Sequence, residues 1–185
     1  MIGYFVFFGL MLTVCVDSEP WLYVNKEAGP WIAAIPFPNA QLQYKLTGAD
    51  TARKVTALEL ELLDEGPGYH SHQTENKMYR VLEGKVQFIV NGTQFCAKPG
   101  DYLYVPRLLK QGFRVSNPKL KQKRVRVQLV FFPGTAETFL NEMTVLHLQG
   151  KDKTSEAKTV EQKYGITVYD PVAWEDLGCF RDGTD

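Results

Sequence analysis

The sequence predicts an all-β domain, a closed barrel or jelly roll, with short helices confined to its C-terminal end. Three observations carry this. Apolar residues recur with period two in a series of short runs, turn signals separate those runs, and helical spacing appears only after Thr135. Many short strands divided by turns pack best as a barrel or two-sheet roll, where each strand buries one face and few edges stay unpaired. At 185 residues the chain is long enough for one domain with a substantial core. Its 44% hydrophobic and 12% aromatic content excludes a disordered chain. Lys and Arg number 21, as do Asp and Glu, which excludes the basic footprint of a nucleic-acid binder. The same balance excludes a strongly acidic, ion-soaking matrix composition.

Met1 to Val16 contains no charged side chain, and the first charge is Asp17. The stretch falls short of the roughly 20 residues of a bilayer span and has the length of a signal-peptide core. Residues 1–18 are therefore expected to be a signal peptide, cut before Glu19 or before Val16, although a basic leading segment is missing. A buried N-terminal strand is the alternative. A secreted, extracellular protein follows, with no transmembrane segment after cleavage. Residues 19–185 then form one domain: a barrel core over about 31–133, a helical extension over 134–170 and a tail over 171–185.

Glu19 to Asp50 is rich in aromatics and proline, among them Trp21, Tyr23, Trp31 and Phe37, and reads as short edge strands and loops. Thr56, Leu58, Leu60 and Leu62 alternate with Ala57, Glu59 and Glu61, a half-buried strand. Tyr79–Leu82 and Val86–Val90 flank a turn at Glu83-Gly84. Asn91-Gly92 is a strong hairpin signal, since both residue types tolerate φ > 0, and it leads into Thr93–Ala97. Pro99-Gly100-Asp101 turns the chain into Tyr102–Val105, ended by Pro106. Val125, Val127, Leu129 and Phe131 mark a last long strand. Phe139, Leu140 and Met143 form a helical stripe within Ala136–Met143. Lys151 to Lys163 reads as a charged connector leading into a short helix that stops near Tyr164-Gly165. Tyr79, Phe88, Phe95, Tyr102 and Tyr104 are expected in the core, and only secondarily as a lining for an aromatic ligand.

Three surface features bear on function. Asn91-Gly92-Thr93 is an N-glycosylation sequon at a hairpin tip. Lys119, Lys121, Lys123, Arg124 and Arg126 form a basic run, read first as a solvated edge and second as a contact for anionic polysaccharide or a membrane surface. Once a signal peptide takes Cys15 away, Cys96 and Cys179 remain. They pair in an oxidising compartment or stay as two free thiols; the spacing alone does not choose.

The chemistry-bearing stretch is His70-Ser71-His72. Two histidines two apart on a strand point to one face. The block from Gly68 to Gly84 resembles the first cupin motif: a glycine, His-x-His, an acidic ligand and a closing glycine. Pro99-Gly100-Asp101 through Pro106 to Gln111 resembles the second. With Trp31 onward, Phe132-Pro133-Gly134 and Lys163-Tyr164-Gly165-Ile166, the layout over about residues 21–170 is similar to the single-domain quercetin-dioxygenase-like cupins. The resemblance implies a double-stranded β-helix, a jelly-roll barrel, with a divalent transition metal (Fe, Cu, Ni, Mn or Zn) inside, held by two histidines, a glutamate and a third histidine.

His70 and His72 match that ligand set. The glutamate position, seven residues before Gly84, is Lys77, and the third histidine position, five after Pro106, is Gln111. Replacing carboxylate by ammonium turns an attraction on a divalent ion into a repulsion, worth about 8 kcal/mol at ~4 Å and an effective dielectric near ~20. Gln111 is at most a weak ligand. Glu75 is a candidate substitute if a bulge redirects it; otherwise it is a solvent-facing loop carboxylate. His147, beyond the barrel strands, reads as a packed or surface residue. Lys77 is itself a candidate catalytic base or amine nucleophile.

Three functions follow from this half-matching site. The first is a secreted protein that binds a small organic molecule in the barrel, its metal chemistry weakened or lost. The second is an enzyme, either a dioxygenase with a weakly held metal or a metal-free isomerase, cyclase or lyase built on Lys77. The third is a structural component of an extracellular matrix. Many cupins are dimers, so the resemblance leaves a homodimer open.

Overall fold

The computed structural model describes residues 22–34, 40–63, 66–115, 124–151 and 153–180. The expected signal peptide, Cys15, Trp21, Phe37 and the lysines of the basic run lie outside the described residues.

In chain order the described elements are β1 (Ile32–Ala33), β2 (Gln41–Leu46), β3 (Thr56–Leu62), β4 (His70–His72), β5 (Asn76–Glu83), β6 (Val86–Val90), β7 (Thr93–Ala97), β8 (Tyr102–Val105), β9 (Gln111–Arg114), β10 (Val125–Phe132), α1 (Ala136–Leu148), α2 (Ser155–Lys163) and β11 (Ile166–Val168). They build two antiparallel sheets, β1-β2-β3-β10-β5-β8 and β11-β4-β9-β6-β7. Alternation decides which side chains go inside. Leu42, Leu60, Val127 and Val81 stand in one row across four strands. Tyr44, Leu58, Leu129, Tyr79 and Leu103 form the next row. These rows meet Val86, Phe88 and Phe113 of the other sheet in one core. Tyr79, Phe88 and Phe113 pack edge-on or tilted with ring centroids 5.3–5.9 Å apart, a favoured aromatic geometry.

The structure corrects three expectations in detail. β3 is buried on nearly its whole length rather than on one face, because it lies between β2 and β10 and Glu59 is covered by Lys45 at 3.9 Å and Arg126 at 3.4 Å. Tyr102 and Tyr104 are exposed, because β8 is an edge strand whose alternation sends Leu103 and Val105 inward. The segment 134–170 is not helical throughout: its end, β11, pairs with β4 and becomes the neighbour of the histidine strand.

Asn91 and Gly92 have φ of 47° and 88°, the left-handed pair that the β6–β7 turn needs. The tail then straps the five-stranded sheet. Cys96 and Cys179 are joined as a disulfide. Gln87 Nε2 and an Arg114 N–H both donate to the Glu175 carbonyl, at 3.0 and 3.1 Å. The Arg114 guanidinium lies over Trp174 and Phe180, 5.1 and 5.8 Å from their ring centroids. At the other end, α1 is fastened by Glu137, whose carboxylate accepts the Gly48 N–H at 2.7 Å and the Thr56 hydroxyl.

Candidate functional site

β4 has only three residues, and its neighbours hold it from both sides. β11 pairs with its full length, placing Ile166 opposite His72 and Val168 opposite His70. β9 pairs on the other edge, His70 opposite Gln111. The Leu108 N–H donates to the His72 carbonyl at 2.7 Å. Period-two alternation then turns His70 and His72 to the barrel interior and Ser71 away, where its hydroxyl meets the Tyr169 hydroxyl at 3.1 Å. Both histidines are buried, with ring centroids 5.1 Å apart.

Their partners assign the tautomers. His70 Nδ1–H donates to the Gly68 carbonyl at 2.6 Å, which leaves Nε2 as acceptor, and Lys77 Nζ donates to it at 2.9 Å. His72 Nδ1–H donates to a Glu75 carboxyl oxygen at 2.8 Å. The other Glu75 oxygen accepts the Thr135 hydroxyl. The Lys77 ammonium also lies 5.1 Å from the Phe131 ring centroid, a cation–π distance.

Burial dominates the electrostatics. It holds His70 well below its ordinary value of 6.5, with Lys77 and then His72 adding to the effect and the Gly68 carbonyl opposing it. Burial, then Lys77, pulls His72 down to about 2. The His72–Glu75 contact is therefore a neutral imidazole N–H on a carboxyl group, not a pair of full charges. Burial raises Glu75 above 4.5, with Thr135 and Lys77 opposing. Burial also pulls Lys77 from 10.5 to about 7, and the Glu75 charge opposes this.

These side chains form the polar end of a cavity of about 250 Å³. Leu42, Leu58, Leu60, Leu129 and Phe131 of the six-stranded sheet wall it, Ile166 and Val168 border the histidine strand, and Phe139, Leu140 and Met143 of α1 cover it. A volume near the lower end of small-ligand sites, with apolar walls and few polar groups, suits a compact organic molecule.

A transition-metal centre does not fit this donor set. Such a centre needs convergent lone pairs from several groups. Nε2 of His70 is occupied by Lys77, both Glu75 oxygens are engaged, and Lys77 brings a cation. Gln111 is buried but does not line the cavity; its Oε1 accepts the Tyr79 hydroxyl at 2.8 Å. His147 sits in the last turn of α1. Among the described residues no group of three or more His, Cys, Asp or Glu side chains is placed to hold a metal ion. Glu75, considered above as a substitute ligand or a solvent-facing loop residue, is not solvent-facing: it is buried, and its carboxyl group accepts from His72 and Thr135.

Sequence reasoning did not find Thr135. Its only signal was local, a threonine immediately before a helix with Glu137 in the first turn, which reads as an N-cap. The Thr135 hydroxyl makes no cap bond and goes instead to Glu75, 60 residues away in sequence. The Phe139-Leu140-Met143 stripe was legible as a buried helix face, but not as a cavity cover.

Residues 61–127 match the family model of the cupin domain. No curated protein matches the chain. The solved structure of KdgF from Halomonas sp. is similar at 16% identity, with a TM-score of 0.52 over 64% of this chain and 99% of that one. An RmlC-like cupin from Shewanella frigidimarina is similar at 16% identity, with a TM-score of 0.50 over 64% of this chain and 96% of that one. At such identity the likeness is one of fold. Two antiparallel sheets with short C-terminal helices form a jelly-roll barrel of the cupin fold, and residues 61–127 within it match the cupin-domain model.

Proposed function

We propose that this chain is a secreted cupin that binds a small organic molecule in its barrel without a resident transition metal. One observation carries the reading: Lys77 donates to Nε2 of His70 at the polar end of an apolar cavity. A metal would have to displace that ammonium and then share the space with it, which Coulomb repulsion opposes. The cavity walls supply apolar surface at about 25 cal/mol per Å² buried, and the polar end supplies orientation. The charge-free stretch Met1–Val16 and the Cys96–Cys179 pair both favour secretion, since disulfides persist in oxidising compartments. Asn91, exposed at its hairpin tip, is then accessible for glycosylation.

Metal analysis of protein purified from culture medium tests this. Less than about a tenth of an equivalent of any transition metal per chain is expected, with no change in melting temperature after chelation. One tightly held Fe, Cu, Ni, Mn or Zn per chain would sink the reading, and protein found only inside cells would remove its secreted part.

The Lys77–His70 contact favours a second reading, a metal-free isomerase, cyclase or lyase in which the pair passes a proton to or from the bound molecule. Full turnover by a Lys77→Ala variant would exclude it.

A further inference from the structure

We propose that the molecule bound in this cavity is a compact apolar acid, a carboxylic acid or a similarly acidic enol, whose oxygen pairs with Lys77. This rests on the small-molecule reading above and names the head group. Lys77 is buried at 5% exposure and lines the cavity. Its contacts are His70 Nε2, a neutral acceptor, and the face of Phe131. Among the described residues no carboxylate pairs with it directly. The Glu75 charge acts on Lys77 through space, but its oxygens are held by His72 and Thr135. A buried cation without a contacting counter-ion is costly, and an arriving anion removes that cost. An acidic oxygen placed against Nζ makes a charge-assisted hydrogen bond in a low-dielectric site, the strongest kind available there.

The remaining walls set the rest of the ligand. Leu42, Leu58, Leu60, Leu129, Phe139 and Met143 present hydrocarbon, so the body of the molecule is aliphatic or aromatic; besides Glu75 the lining carries one further carboxylate, Glu161 of α2, and the acid group is assigned to Lys77. Neutral amides are the closest competitors. An amide could offer its carbonyl to Lys77 and its N–H to Nε2 of His72, the ring nitrogen that Glu75 leaves as an acceptor. It would not, however, neutralise the ammonium.

Three eight-carbon probes separate these cases: sodium octanoate, octanamide and octan-1-ol, each titrated calorimetrically into the full chain near neutral pH. Octanoate is expected to bind at least about tenfold more tightly than either neutral probe, the size of effect one charged hydrogen bond confers. In a Lys77→Gln variant the preference for octanoate over the two neutral probes is expected to vanish. Equal binding of all three probes by the natural chain would overturn the acid assignment and leave the small-molecule reading intact. Failure of all three to bind would overturn both. The comparison on the natural chain needs no variant, so a Lys77→Gln protein that does not fold leaves the test decisive.

Discussion

At the scale of single residues, the site turns on Lys77, which stands where the cupin resemblance implies a carboxylate. Lys77 occupies the lone pair of His70 that a metal would use. Lys77→Glu removes the cation and supplies an anionic oxygen beside two imidazoles. That variant is expected to bind Ni²⁺ or Mn²⁺ at least about tenfold more tightly than the natural chain, read by calorimetry, because a repulsion becomes an attraction. The histidines predict a pH dependence. Both have folded-state values depressed below 6.5. Below pH 6.5 the unfolded chain therefore takes up protons that the folded chain does not, so their stability contribution is full above 6.5 and is lost as pH falls. Each histidine's slope approaches about 1.4 kcal/mol per pH unit well below 6.5, and each changes stability by about 1.4 kcal/mol in total between pH 7.5 and 5.5. Glu75, raised above 4.5 by burial, works in the opposite sense. Urea denaturation between pH 7.5 and 5.5 reads the slope, and His72→Gln should make it shallower by one histidine's share. An unchanged slope would mean that His72 is protonated in the folded protein.

At the scale of elements, α1 is a cover held at its first turn. Glu137 joins it to Gly48 and Thr56, and Thr135 joins the residue before it to Glu75. Both acceptors are carboxylates, so each bond is worth more than a neutral one. Glu137→Ala is expected to cost about 2–3 kcal/mol in chemical denaturation, since it also leaves the Gly48 N–H and the Thr56 hydroxyl without their partner. A loss under about 0.5 kcal/mol would show that helix packing alone holds the cover. β4 is the opposite kind of element, too short to be stable by itself. Its position depends on β11, which arrives almost a hundred residues later in the chain.

At the scale of the whole molecule, the barrel is closed by its tail. The Cys96–Cys179 bond spans 83 residues, and Trp174, Glu175 and Phe180 pack around Arg114 over the outer face of β6 and β9. A cross-link over a loop of this size stabilises by about 2–5 kcal/mol, chiefly by restricting the unfolded chain. The double variant Cys96→Ala and Cys179→Ala should lose about that much. Its tail should also become susceptible to limited proteolysis while the barrel stays intact. Rapid digestion of the whole chain instead would mean that the tail is part of the cooperative core.

Much of this architecture was legible in the residues. Period-two apolar runs, the Asn91-Gly92 turn and the late helical stripe are local signals, because strand alternation and turn conformation depend on near neighbours. The His70-Ser71-His72 pattern and the lysine at position 77 were legible for the same reason. What only the tertiary structure decided is who faces whom. Lys77 on His70, Glu75 on His72, Thr135 on Glu75, and Gln111 drawn away by Tyr79 are contacts set by the packing of several strands and a helix start. Burial then decided their charges, since removal from water is what brings Lys77 down to about 7 and keeps both imidazoles neutral. The sequence by itself determined a barrel with two inward histidines. The fold determined that one of them is capped by an ammonium and the other is held by a buried acid, because desolvation and cross-strand contact are properties of the packed chain alone.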